Sequence, residues 1–200
     1  LKGNTLVSKE TGKSVLRRMH DHRFATRYFV GDGIDIGAGD DPLSDYAEFF
    51  PQVKSIRPWD LNDGDAQFMH GVKDETYDFI HSSHCLEHVR DPKETLGNWI
   101  RICKSTGHLV LVVPDEDLYE QGVFPSTFNG AHLWTYTIKK NTSWCNKSIN
   151  IFDLLSEFVD KVDILKVELL DATFRYGAPR YDQTYKSFGD CAIELILRKK

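Results

Sequence analysis

The sequence predicts an α/β domain of the doubly wound type, a mostly parallel sheet covered by helices on both faces. Short apolar runs bounded by Gly, Pro and Asp alternate with segments of helical period along the chain. Several runs, 109–113 above all, are apolar on both faces, as strands between two helical layers must be. A length of 200 residues suits a single domain, 1–200, with one core. Hydrophobic residues at 40% and charged residues at 28% exclude a disordered chain, a collagen-like repeat and a membrane bundle.

Each element follows in chain order. Within 1–29, an N-terminal helical segment, residues 8–29 carry Val15, Leu16, Met19, Phe24 and Phe29 and predict one helix, with Arg17, Arg18, Arg23 and Arg27 on a solvated face. Residues 31–36 form a short strand running into a glycine turn at 37–39. A short helix over 42–50 opens near Pro42. Residues 53–59 predict a second strand; Pro58 removes a ladder donor, so this strand ends early or lies where no partner is needed. Residues 77–82 are the third. Asp91-Pro92 opens a helix through Cys103, with Leu96, Trp99, Ile100 and Cys103 at i, i+3, i+4, i+7. Ser105-Thr106-Gly107 turns into a buried strand, 108–113, which Pro114 ends. Residues 115–147 are irregular and aromatic. A segment of that kind is expected to serve as a lid over a bound molecule or as cover for the core. A helix over 149–159 and strands over 162–170 and 191–198 complete the chain. Those last two strands have no helix between them and are expected to pair antiparallel at one edge.

Lys plus Arg number 25 against 30 Asp plus Glu, a net charge of −5. That balance carries no footprint for duplex DNA or an anionic membrane surface. No apolar run approaches the ~20 residues of a membrane span, and the first residues lack the apolar core of a signal peptide. Cys85, Cys103, Cys145 and Cys191 stand far apart with no CxxC pair, so neither a disulfide framework nor a Cys-rich zinc site is implied. A reduced, cytoplasmic protein with neither nucleic-acid nor membrane partners is expected.

The chemistry concentrates after the first strand. Asp35-x-Gly37-x-Gly39, with Ala38 between the glycines, lets the backbone approach a ligand at the carboxyl edge of the sheet. A dinucleotide fingerprint would need Gly where Pro42 stands, and no P-loop is present. Asp35, Asp40 and Asp41 crowd the turn; they would repel a pyrophosphate and attract a cation. Asp60 follows the second strand, where a carboxylate reaches ribose hydroxyls, although a turn or helix cap is the ordinary role of an isolated Asp. Within Gly64-Asp65-Ala66, a carboxylate and a backbone N–H could meet the edge of an adenine. S-adenosylmethionine fits a ligand with adenine, ribose and positive charge but no phosphate.

Ile34-Asp35-Ile36-Gly37-Ala38-Gly39 resembles motif I of the class I S-adenosylmethionine-dependent methyltransferases. Gly64-Asp65-Ala66, Tyr77-Asp78-Phe79-Ile80, Ser83-His84-Cys85-Leu86-Glu87-His88-Val89 with Asp91-Pro92, and Ser105-Thr106-Gly107-His108-Leu109 follow in the order of the type-11 branch. The resemblance covers 31–115 and extends weakly through His132-Leu133-Trp134-Thr135; the third glycine of motif I is replaced by Asp41. It implies a Rossmann-like sheet of seven strands, one of them antiparallel near an edge. The implied reaction is methyl transfer from S-adenosylmethionine to a small-molecule acceptor, a sugar or other hydroxyl compound among the candidates, leaving S-adenosylhomocysteine. Asp35, Gly37, Ala38, Gly39, Asp60, Leu61, Asp65, Ala66 and Ser83 are the expected donor-binding residues. His84 is the expected base and His132 the second candidate, with no metal required.

In the lid reading, 115–147 is an acceptor-side insertion. Asp115, Glu116 and Tyr119 then stand nearest the transferred methyl, and Phe124, Phe128, Trp134 and Tyr136 close over the acceptor. Two other readings stay open. One is a domain that binds the donor without turnover. The other is a zinc hydrolase, because His84-Cys85-Leu86-Glu87-His88 matches HxxEH, with His84 and His88 as ligands and Glu87 as base. Oxygen, nitrogen and carbon acceptors, and the oligomeric state, are not readable from the chain.

Overall fold

In the computed structural model, residues 10–185 and 189–200 are described. Strands β1 (Gly31–Ile36), β2 (Val53–Trp59), β3 (Tyr77–Ser83), β4 (Cys103–Pro114), β7 (Val162–Leu170) and β8 (Ala192–Lys199) form one six-stranded sheet in the order β2-β1-β3-β4-β8-β7. The first four pair in parallel, and β8 runs antiparallel to both β4 and β7. The two C-terminal strands therefore make the antiparallel edge expected of them.

The count of seven strands is corrected to six. Residues 61–76, between β2 and β3, hold Gly64, Gly71 and the dispersed acids Asp63, Asp65, Asp74 and Glu75 with no alternating apolar pattern, and they fold as successive turns. Among the described residues no strand covers the outer side of β2. That also answers Pro58, which pairs with Asp35 of β1 on an edge strand, the position where a missing ladder donor is tolerated. A separate parallel pair, β5 (Thr135–Thr137) and β6 (Ser148–Asn150), joins the main body through a bridge between Asp115 and Tyr136.

Alternation along the strands divides the core. Ile34, Ile36, Ile80, Leu109, Leu111 and Leu195 face α2 (Pro92–Ile102) and α3 (Ile151–Ser156). Phe79, Val110 and Ile196 face the other way, onto Val15, Phe24, Tyr28, Phe29, Leu43 and Phe50. Helix α2 begins where its signals predict: Asp91 accepts a hydrogen bond from Glu94 N at 3.0 Å, and Pro92 occupies the first turn.

The N-terminal helix is shorter than expected. It is α1 (Glu10–Arg18), and after a turn at Met19–His20 the chain re-enters a single wide helical turn, Phe24–Tyr28. Arg18 corrects the reading of a solvated arginine face, because it is only 1% exposed. Its Nε donates to Glu194 Oε2 at 3.0 Å and its Nη1 donates to His81 Nε2 at 3.0 Å. Since a guanidinium can only donate, His81 carries its proton on Nδ1, which donates to Asp35 Oδ1 at 2.6 Å. The other Asp35 oxygen accepts from Leu43 N at 2.7 Å. A buried polar chain thus ties α1, β8, β3, β1 and the turn after β1 together.

Candidate active site

The carboxyl ends of four parallel strands bring the loops after β1, β2, β3 and β4 to one edge of the sheet. The glycine turn is built for close packing. Gly37 has φ +77°, and a Cβ there would stand 2.6 Å from Cys85 Cβ, so the loops after β1 and β3 touch through a position only glycine can fill. Gly37 N and Ala38 N donate to Trp59 O at 2.9 and 3.2 Å, pinning the turn to the end of β2. The space where a Gly39 side chain would stand is open.

Asp60 leads into the next loop. Its two carboxylate oxygens accept from Gly39 N and Leu61 N, each at 2.7 Å. Each oxygen keeps a second lone pair for a hydroxyl donor. Leu61 is 91% exposed beside it, an apolar surface at the rim of a polar loop. Asp65 is exposed, accepts from Gln67 N at 2.8 Å and lies 3.3 Å from the Arg90 guanidinium. Ala66 sits just inside, its carbonyl accepting from the Trp99 indole at 2.9 Å. Ser83 Oγ, at the end of β3, is buried without a hydrogen-bond partner.

These residues fit the donor that the sequence implies: a carboxylate with free lone pairs, an apolar shelf beside it, an orphaned hydroxyl and an open glycine position line one edge. Asp35 stands apart from them. Both its oxygens are engaged inside the fold by His81 and Leu43 N, so it shapes the turn from below. Asp41, in place of a third glycine, accepts from Gly12 N at 3.0 Å and from Tyr46 Oη at 2.6 Å, and so fastens α1 over the turn.

Beside this edge lies a histidine cluster. Glu87 is fully buried, and neither of its oxygens has a hydrogen-bond partner. Three ring nitrogens face Glu87 Oε1: His84 Nδ1 at 3.4 Å, His132 Nε2 at 3.8 Å and His88 Nε2 at 3.9 Å. His84 adopts φ +55°, a conformation side chains rarely take, directly after β3. Burial opposes its charging, but the carboxylates of Glu87 and Glu10 outweigh burial and hold its pKa above the usual histidine value. Cys85, next in the chain, is pushed up to about 12 by burial and is no thiolate nucleophile.

The two expected histidines, His84 and His132, thus meet on one carboxylate although 48 positions separate them in the sequence. Sequence reasoning missed Glu120, whose Oε1 accepts from His132 Nδ1 at 2.8 Å. It lies in an irregular stretch where no spacing singles it out. His88 and Glu87 belong to the cluster itself. The hydrolase geometry does not form: Leu86–His88 is a single 3₁₀ turn, so His84 and His88 share no helix face.

The loop after β4 divides into two parts. Tyr119 fronts the cluster, its ring 5.2 Å from that of His132. Asp115 instead caps the turn Glu116–Glu120, accepting from Asp117 N and Leu118 N at 3.0 Å, and burial raises its pKa to about 6. Glu116 is buried against Lys140 and Ser143. Phe128 packs edge-on to Tyr119 and under Arg180. Trp134 and Tyr136 turn inward, donating to Val89 O and Leu86 O at 3.0 Å, and Tyr136 is part of the core.

Among the described residues no helix is long and apolar enough to cross a membrane. A search of the curated proteins finds no match. Solved structures share the fold. An S-adenosylmethionine-dependent methyltransferase from Archaeoglobus fulgidus superposes with a TM-score of 0.58 at 18% identity, over 96% of this chain and 95% of that one. The 1,6-didemethyltoxoflavin-N1-methyltransferase of Burkholderia thailandensis, with 1,6-didemethyltoxoflavin and S-adenosylhomocysteine bound, gives 0.55 at 13% identity, over 98% and 81%. The family model described as a methyltransferase domain matches residues 12–155, which include the glycine turn, Asp60 and the whole histidine cluster. On that match the chain belongs to the methyltransferase-domain family and is a class I S-adenosylmethionine-dependent methyltransferase.

Proposed function

We propose that this enzyme methylates a small molecule held between the glycine turn and the histidine cluster. The observation that carries the reading is the contact of Gly37 with Cys85, which sets the donor edge directly against His84. The mixed character of that edge supports it too, and so does the S-adenosylhomocysteine and small-molecule pair held by the Burkholderia relative.

When bound, the donor supplies a methyl group activated by the sulfonium. The protein supplies position. Asp60 accepts from the ribose hydroxyls through the lone pairs that Gly39 N and Leu61 N leave free, Leu61 covers the adenine face, and Asp65 with the Ala66 N–H meets the adenine edge. Gly37, Ala38 and Gly39 give the methionine portion its close approach, with Ser83 Oγ beneath as a donor or acceptor. Holding donor and acceptor in line converts a bimolecular step into an intramolecular one. For a hydroxyl acceptor, His84 takes the proton, and Glu87 steadies the charge the imidazole then carries.

Titration calorimetry tests the donor half. S-adenosylhomocysteine is expected to bind and NAD not to bind. NAD binding with none for S-adenosylhomocysteine would overturn the reading. With an acceptor in hand, His84→Ala should lower turnover by roughly 10²–10⁴-fold with donor affinity unchanged; equal turnover would reduce His84 to a turn residue.

A further inference from the structure

The histidine cluster has a feature that the methyl-transfer reading does not use. His88 Nδ1 lies 3.0 Å from the backbone carbonyl of Ala131, which can only accept, so the proton of the neutral ring is on Nδ1. His132 Nδ1 makes the corresponding bond to Glu120 Oε1. In both neutral rings Nε2 is then a bare lone pair, and both lone pairs point at Glu87 Oε1, 3.9 and 3.8 Å away. Two lone pairs and a carboxylate oxygen facing one another repel. The distances are too long for hydrogen bonds, and both Glu87 oxygens and Glu120 Oε2 are buried without partners. His84 Nδ1, 3.4 Å from the same Glu87 Oε1, is the nearest cationic partner, and it leaves both carboxylate oxygens without a hydrogen bond. The point that the two ring lone pairs and Glu87 Oε1 face together suits a cation.

We propose that Glu87, His88 and His132 form a binding site for a divalent transition-metal ion of the zinc class. Their ligand atoms lie within 4.8 Å of one another. Such an ion holds imidazole nitrogens at about 2.0–2.1 Å and carboxylate oxygens at about 2.0–2.2 Å, so sub-ångström closure of the site lets one ion reach all three. The outer contacts are those of a metal centre: Glu120 behind His132 and the Ala131 carbonyl behind His88 fix both rings with Nε2 inward. Two imidazoles and one carboxylate select zinc, iron or manganese over magnesium or calcium. Three protein ligands leave coordination positions open, and His88 is partly exposed, which supplies a path from solvent. Two sequence readings are changed by this. No metal was expected, and the HxxEH match placed zinc on His84 and His88; here Glu87 is itself a ligand, and the third comes from a loop 44 positions away. Ion binding stands independently of the methyl-transfer reading. The task of the ion, to hold an oxygen or nitrogen of the acceptor beside the donor, rests on it.

The test uses the chelator-treated protein titrated with zinc chloride, with magnesium chloride as the hard-cation control. About one equivalent of zinc is expected to bind, with magnesium failing to compete at thousand-fold excess. His132→Ala and the isosteric Glu87→Gln should each weaken zinc binding at least 100-fold. Glu120→Gln should weaken it by about 10–100-fold, the effect of losing a partner behind a metal-bound histidine. His22→Ala, on the exposed surface, should not change it. Circular dichroism of each variant verifies folding, and Glu87→Gln is expected to fold because it keeps the shape of the side chain. Two results would overturn the site: no zinc uptake by the native protein, or uptake that survives both Glu87→Gln and His132→Ala. A protein that takes up no zinc and melts higher as Glu87→Gln would show that protons alone balance the cluster. Zinc binding and S-adenosylhomocysteine binding are read in separate titrations, so the ion site and the methyl-transfer reading can fail independently.

Discussion

Asp60 shows how far a single residue can be read before its surroundings are known. Its place after a strand suggested ribose, and its ordinary role suggested a turn cap; the structure gives it the cap, through Gly39 N and Leu61 N, while leaving lone pairs for a ligand. Asp60→Ala should therefore weaken S-adenosylhomocysteine by roughly 1.5–3 kcal/mol, the range for a hydrogen bond to a charged group. Unchanged affinity in calorimetry would mean that Asp60 only shapes the loop. Gly37→Ala is the steric counterpart. It forces a side chain to φ +77° and onto Cys85, so it should lower stability by at least about 1 kcal/mol and loosen the donor edge. A melting temperature within a degree of the native protein would refute the close contact. Gly37, Gly39 and Asp60 were legible because their chemistry is local. Glu120 and the burial of Arg18 were not, because each depends on a partner that only the fold brings near.

At the level of elements, the strands were the most legible part. Four predicted parallel strands and the antiparallel pair at the C-terminal edge are present, since an apolar run between turn residues needs no tertiary information. The missing seventh strand came from resemblance, and residues 61–76 lack the alternation that would have supported it. The loop after β4 was legible as important but not as divided. Its first half carries Tyr119, Glu120 and His132 to the cluster, and its second half closes the core with Trp134 and Tyr136. Trp134→Ala is accordingly expected to act on stability. Removing a half-buried indole that packs on the core and donates to Val89 O should cost about 2–4 kcal/mol. That corresponds to a fall of roughly 5–15 °C in melting temperature for a domain of this size. Donor affinity of the folded protein should stay within about twofold. A variant with native melting temperature and impaired acceptor binding would restore Trp134 to the lid.

Across the whole molecule, the two faces of the sheet are held differently. The face under α2 and α3 is apolar, whereas the face under α1 carries the chain Arg18, Glu194, His81 and Asp35 among its aromatic rings. Glu194 is the hub, meeting Arg17 and Arg18 from α1 and Lys166 from β7. Burial raises its pKa, but the three cations outweigh burial and hold it at about 2, below the ordinary 4.5. An acid whose folded pKa is depressed contributes stability that is fully present above its unfolded pKa and disappears as pH falls through the folded one. Glu194 should thus stabilise the fold at neutral pH by an amount of order 3 kcal/mol, lost progressively between about pH 4.5 and pH 2. Glu194→Gln removes that contribution and leaves the Arg18 guanidinium buried without its counter-charge, while Arg17 keeps Asp190. It should destabilise the protein at pH 7 by about 3–5 kcal/mol, the cost of breaking a buried pair from one side. The gap between the native and variant proteins, followed by denaturant titration, should narrow as pH drops below 4.5. Other carboxylates titrate in the same range in both proteins, so only the difference between the two curves reports Glu194. A gap that stays constant down to pH 3 would show that the carboxylate holds α1 to the sheet by shape alone, and that the donor edge does not depend on this charge pair for its support.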